Sequence, residues 1–192
     1  MASAVSICSN ALLMVGAKPI NNFTEAADRV RLAANLYPSQ KKAFLRSHPW
    51  NCAIVRTTLA PMADAPAFGY SKQFQLPGDC IRLLDVGSED DGAMDYRVEG
   101  KRILFSGTVL PIRYITSLDE GSWDDSMVTA MELRMAALFA FPIAASASLA
   151  QSFKEQADQA FRAAKNTDGQ EDPPQSFDDS PLLSSRQLGG GF

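Results

Sequence analysis

Apolar residues recur at three- and four-residue steps near the start of the chain, at Val5, Cys8, Leu12 and Val15, and Gly16 follows them. That is the stripe of an amphipathic helix closed by a glycine, so a first helix is predicted to end near Val15. GAKPINNF then reads as a loop. From Thr24 a second stripe runs through Val30, Ala33 or Ala34, Tyr37, Phe44 and Leu45. Pro38 lies inside it and is expected to kink or split the helix, because proline lacks the amide hydrogen that the helix ladder needs. The helix must stop before Pro49, which drives His48 towards extended backbone.

From Asn51 to Ser117 the period changes. IVRTTLA, YSKQFQL, IRLLDV, DYRV, RILFS and LPIRYIT are short β-prone runs separated by turn residues. Val98-Glu99-Gly100-Lys101 reads as a hairpin turn and LPGDC as a tight turn, with APMADAPAFG and GSEDDGAMD as longer loops. Strand-like runs without helices between them predict an antiparallel meander rather than βαβ units. Helical texture returns at Ser122, a serine N-cap with Asp125 three residues on. Its stripe is Val128, Met131, Met135, Leu138 and Phe139, and Pro142 marks a bend or a break. A last helix is predicted from about Ala144 to Lys165, burying Leu149, Phe153, Ala157, Ala160 and Phe161.

The pattern therefore predicts an α+β fold. A bundle of about four helices, an N-terminal pair in residues 1–50 and a C-terminal pair in 121–167, carries an inserted antiparallel β-rich region over 51–120. Residues 168–192, rich in proline, glycine and acids, cannot build a core and are expected to form an extended arm. At 192 residues, 46% hydrophobic and 21% charged, the chain is large enough for one shared core. The longest apolar run, Met135 to Ala145, is too short to cross a membrane and contains Pro142, so no membrane association is expected. The N-terminus lacks the basic region of a secretory signal and reads as mature structure.

Charge sharpens the division. Residues 168–192 hold Asp168, Glu171, Asp172, Asp178 and Asp179 against Arg186 alone, so the whole net charge of −4 lies in the arm and the body is neutral. Proteins that grip nucleic acid usually show a basic excess or stripe, and this body has none. Within the arm Phe177, Leu182 and Leu183 stand out as isolated apolar anchors, and Arg186 as a cation able to pair with an acid on a partner.

Candidate chemistry changes the picture little. FLRSHPWNCA holds the single histidine beside Trp50 and Cys52. A Cys–His nucleophile needs the imidazole within hydrogen-bond reach of the sulfur, and Pro49 forbids the helical turn that would make His48 and Cys52 face each other. His48, Pro49 and Trp50 read instead as a structural corner: histidine near the last helix carbonyls, a proline stop, and a tryptophan buried where helices meet sheet. Cysteines 8, 52 and 80 are odd in number and widely spaced, and suggest neither disulfides nor a metal site. Asp90 with Asp91 and Asp124 with Asp125 are adjacent pairs, which sequence alone does not convert into the facing carboxylates that glycoside cleavage requires. Met127, Met131 and Met135 share one helical face and read as packing. No P-loop, GxGxxG, GxSxG or HExxH occurs, and neither a cofactor nor enzymatic activity is expected.

In order, ICSNALLMVGAKPI, LYPSQKKAFLRSHPWNCAIVRTTLA, FGYSKQFQLPGDCIRLLDV, YRVEGKRILF, LPIRYI, a helical pair with SLAQ and an acidic tail cover residues 5 to about 187. This succession resembles the tail tubular protein A family, the head-to-tail adaptors of short-tailed bacteriophages. The resemblance implies a virion structural protein at the head–tail junction, made in the host cytoplasm. It implies self-assembly into a dodecameric ring between the portal protein and a tail nozzle protein like tail tubular protein B, with DNA passing through the lumen without specific binding. The neutral body suits such a conduit. Two other classes remain: a polysaccharide-cleaving hydrolase, which would need converging acids, and a monomeric binding module, which would not need an anchored arm.

Overall fold

The structure, a computed structural model, describes residues 1–87 and 94–171. Helix α1 (Ala4–Met14) opens on a reciprocal cap, in which Ser3 Oγ accepts from the Ser6 amide at 3.1 Å and Ser6 Oγ accepts from the Ser3 amide at 2.9 Å. Ile7, Cys8, Ala11 and Leu12 form its buried face, and Gly16 turns the chain at φ +78°, where a side chain would be strained. Helix α2 (Asp28–Ser47) begins four residues after Thr24. The preceding residues are held by short-range bonds instead: Asn22 Oδ1 accepts from the Thr24 amide at 2.9 Å and Glu25 Oε1 from the Asn21 amide at 2.6 Å. Such side chains offer the backbone an alternative to the helix ladder.

Pro38 does not split α2. A proline inside a helix costs about 3 kcal/mol, but Val30, Ala33 and Tyr37 before it and Phe44 and Leu45 after it are buried in the same core and hold both halves. Pro142 is likewise accommodated in α3 (Asp125–Ala144), and the break falls at Ala145, whose φ of +50° is left-handed. The expected serine cap at Ser122 is also corrected. Ser122 closes a short 3-10 turn, Glu120–Ser122, and Asp124 caps α3, its Oδ1 accepting from the Ser126 amide at 2.8 Å. An acid there satisfies an orphan amide and complements the helix dipole.

Helix α4 (Ala147–Glu171) runs six residues beyond Lys165. It packs antiparallel along α3, which also lies against α1, where Asn10 Nδ2 donates to Glu132 Oε1 at 2.7 Å. Taken alone, α3 has the length and hydropathy of a membrane-crossing helix. In the fold it is the hub of the bundle, with Met127, Ala130, Met131, Met135, Ala136, Phe139 and Ala140 buried among its neighbours.

The β region contains β1 (Ile54–Leu59), β2 (Lys72–Gln75), β3 (Cys80–Val86), β4 (Tyr96–Glu99), β5 (Arg102–Phe105) and β6 (Leu110–Thr116). All pairings are antiparallel, but the arrangement is not a meander: the orders are β1-β6-β3 and β2-β5-β4. The β4–β5 hairpin turns through Gly100 and Lys101, with Gly100 at φ +60°. The chain therefore crosses between two small sheets packed face to face. Period two on β6 explains how. Leu110, Ile112 and Tyr114 point to the second sheet and, with Phe74 and Ile103, make the β core, whereas Ile115 joins the helical core together with Ile81 of β3. The fold is thus α+β, with sheet β1-β6-β3 as the wall between a helical bundle and a β lobe.

Candidate functional site: the helix-to-sheet corner

The corner follows from Pro49. His48 ends α2 in extended backbone, at φ −143° and ψ 145°, as a residue before proline prefers. Trp50 then enters a 3-10 turn, Asn51–Ala53, that leads into β1. Trp50 is fully buried. Its ring stacks on Phe44 at 5.2 Å between centroids and 10° between planes, and Phe161 of α4 meets it edge-on at 5.7 Å. Phe44 also stacks with Trp123 at 5.6 Å. The Trp50 indole N–H donates to the Phe44 carbonyl at 3.3 Å, so the polar end of the ring is satisfied inside the core.

His48 finds a partner that its sequence neighbours do not supply. Its Nε2 lies 2.9 Å from Asp168 Oδ2, with both side chains mostly buried, and its ring stands edge-on to Trp50 at 4.7 Å. Asp168 Oδ1 accepts from the Asn51 amide at 3.0 Å, and Asn51 Nδ2 donates to the Asp168 carbonyl at 2.7 Å. Three bonds therefore clasp the last turns of α4 to the corner. This moves the expected boundary at Thr167: Asp168 and Glu171 belong to α4, because the clasp and the helix ladder satisfy groups that an extended arm would leave to water. Cys52, by contrast, lies at the surface with its sulfur 3.7 Å from Met127 Sδ.

A second polar cluster was not anticipated from sequence. Glu120 is buried, and its Oε1 accepts from Tyr37 Oη at 2.9 Å and from Lys41 Nζ at 3.0 Å. Burial pushes its carboxyl up, but hydrogen bonds from its own backbone, Lys41 and Tyr37 outweigh that and hold it below the ordinary value. Burial, then the bond to Glu120, drives the Tyr37 phenol far up. Burial first and the Glu120 charge second push the Cys8 thiol up to about 12, so it stays protonated. Tyr37 and Lys41 are four residues apart on α2, which places them on one face; nothing in the local sequence marks Glu120 as their partner across the fold. Trp123 is buried nearby, with its indole N–H unpaired among the described residues.

Of the acidic pairs, Asp124 and Asp125 serve the start of α3. Its hydrogen bonds from Ser126 lower the Asp124 carboxyl. Asp90 and Asp91 lie outside the described residues, as do Phe177, Leu182, Leu183 and Arg186. Among the described residues no three metal-ligating side chains cluster. Large apolar side chains reach the surface at Leu13 and Met14 of α1, at Phe68, Val98 and Val109 in the β region, and at Phe141 one turn before the α3–α4 junction. No protein-family model matches the chain, and no curated protein matches it.

Proposed function

We propose that the chain is a virion structural protein, a head-to-tail adaptor of a short-tailed bacteriophage, that assembles as a ring between portal and tail nozzle and lets DNA pass through the lumen. The observation that carries this reading is the ordered succession of landmarks from ICSNALLMVGAKPI to the acidic tail, which resembles tail tubular protein A over nearly the whole chain. Several features support it. The body through Glu171 carries 17 basic against 19 acidic residues and so has no basic excess, and a lumen lined by it would not hold phosphates tightly. The RSHPWN landmark sits at a corner where aromatic stacking and the Asp168 clasp tie the entry to β1 to the bundle. A protein that joins two assemblies must transmit force between its ends, and such a joint resists hinging.

The arm anchors Phe177, Leu182 and Leu183, with Arg186, would engage a neighbouring adaptor or the portal. Burying a Leu or Phe contributes roughly 1.5–3 kcal/mol, against about 0–1 for an exposed ion pair, so the apolar anchors carry more of that contact than the charge. The test mixes the purified full chain with portal rings of the cognate phage and reads mass by light scattering and shape by negative-stain imaging. Added mass near twelve times the 20.8 kDa chain, seen as a ring on one portal face, is the expected result. A chain that stays monomeric and leaves the portal bare overturns the proposal.

A further inference from the structure

Helices α2 and α4 both lie on α3 but diverge, and between them runs a groove of about 640 Å³. Alanines floor it, among them Ala130, Ala137 and Ala150; their small side chains leave room that a packed helix pair would fill. At the corner end it is bounded by Phe44 and Phe161, and at the other by Phe141, which is 64% exposed. An apolar channel with a large exposed phenylalanine at its mouth asks for an occupant.

We infer that this groove seats the chain's own residues 172–192, with Phe177 at the corner end and Leu182 and Leu183 at the Phe141 end. Reach decides in favour of this segment. It departs from Glu171, ten residues beyond Phe161, which is about 15 Å along the helix, and the groove continues about 21 Å further to Ala147. Six extended residues from Glu171 to Phe177 cover about 20 Å, and twelve from Glu171 to Leu183 cover about 40 Å. Both anchors therefore arrive where the groove is apolar when the segment runs back antiparallel to α4. Pro173 and Pro174 favour such an extended course.

Charge agrees with reach. The segment carries Asp172, Asp178 and Asp179 against Arg186. The groove presents Arg134 and Lys154 against Asp158, and among the described residues neither cation has a carboxylate within ion-pair distance. The Arg134 guanidinium donates instead to Gln40 Oε1 at 2.9 Å. The inference stands on the groove, not on the adaptor reading. Where both hold, the arm is stored on its own body and is released when it reaches a neighbour.

The test uses the full chain with the photoreactive residue p-benzoylphenylalanine in place of Phe141, or separately of Gln151 on the α4 side, irradiated at low protein concentration. Mass spectrometry should find both probes joined to residues 172–192 within single chains, and L182D with L183D should lower that yield at least about tenfold, given two lost apolar burials. The inference is overturned if those residues are not captured by either probe, if the double variant is captured equally well, or if capture occurs only in covalent dimers. None of these outcomes depends on whether the chain binds a portal.

Discussion

The helical bundle and the β lobe solve the problem of burial in opposite ways. The bundle gathers its core from distant stretches, α1, α2, α3 and α4, around one nearly all-apolar helix. The β lobe has two three-stranded sheets and makes a small core by pressing them together through Phe74, Ile103, Leu110, Ile112 and Tyr114. The two meet on β6, where Tyr114 belongs to one core and Ile115 to the other. A strand shared in this way couples the lobes: the sheet cannot leave the bundle without exposing Ile115, Ile81 and the corner aromatics. The comparison predicts one cooperative unit with an uneven distribution of cost.

The sharpest way to break that comparison is at the joint. Trp50→Ala removes a fully buried ring that stacks on Phe44 and meets Phe161 and His48 edge-on. It should cost about 3–5 kcal/mol, the range for large aromatic truncations in a core. Both lobes should lose stability together, read as coincident loss of far-ultraviolet and aromatic circular dichroism in urea. Separate transitions would show that the joint does not couple them. On the β side, Ile103→Ala should cost about 2–4 kcal/mol, less than Trp50→Ala because only the smaller core is hollowed. If the lobes are coupled, the midpoint of the helical signal moves by as much as that of the sheet; a helical signal that stays fixed would make the lobe an independent unit.

How much of this was legible in the sequence differs by region and for a physical reason. Helical stripes such as Val30, Tyr37 and Phe44 are written at short spacing, and each can be read without knowing its partner. The proline at 49 fixes the corner in the same local way. Strand identity was readable too, but strand order was not: β6 inserts between β1 and β3 because of packing between sheets, which leaves no short-range mark. The start of α2 and the continuity of α2 and α3 through Pro38 and Pro142, where a split or a break was one expectation, escaped for related reasons. Asn22 and Glu25 bonds compete locally with the helix, whereas buried residues on both sides override proline's cost. The clasp of His48 to Asp168 spans 120 residues, and the bond of Tyr37 to Glu120 spans 83.

That clasp gives the next prediction, which replaces a boundary at Thr167. Asp168→Ala should cost about 1.5–3 kcal/mol, the range for hydrogen bonds to a charged group that leave a buried donor behind, here the Asn51 amide and His48. Ending the chain after Thr167 should cost at least as much, and ending it after Glu171 should spare this contribution entirely. Thermal melts of the three chains beside the parent check the order. Equal melting of the chains ending at Thr167 and Glu171 would mean that the clasp is decorative.

The smallest effects separate the two lobes' ion pairs. Lys41–Glu120 in the bundle is mostly buried, with side chains 17% and 11% exposed, whereas Arg113–Asp85 across β3 and β6 is open at 41% and 55%. Glu120→Gln keeps an acceptor for Tyr37 but leaves Lys41 without its charge, and should cost about 1–2 kcal/mol near neutral pH. The sign with pH is fixed by the lowered carboxyl of Glu120. Its contribution is complete above the ordinary glutamate value of 4.5 and is lost as pH falls through the lower folded value. Urea midpoints of parent and E120Q should therefore converge in acid, and a gap that persists there would assign the cost to packing. Asp85→Asn should change stability by less than about 1 kcal/mol at any pH, because water and salt screen an exposed pair and its long side chains lose entropy in forming it. Raising ionic strength should erase even that difference while leaving most of the E120Q gap at neutral pH. If the exposed pair proves the more costly to break, burial is not what distinguishes electrostatics in the two lobes.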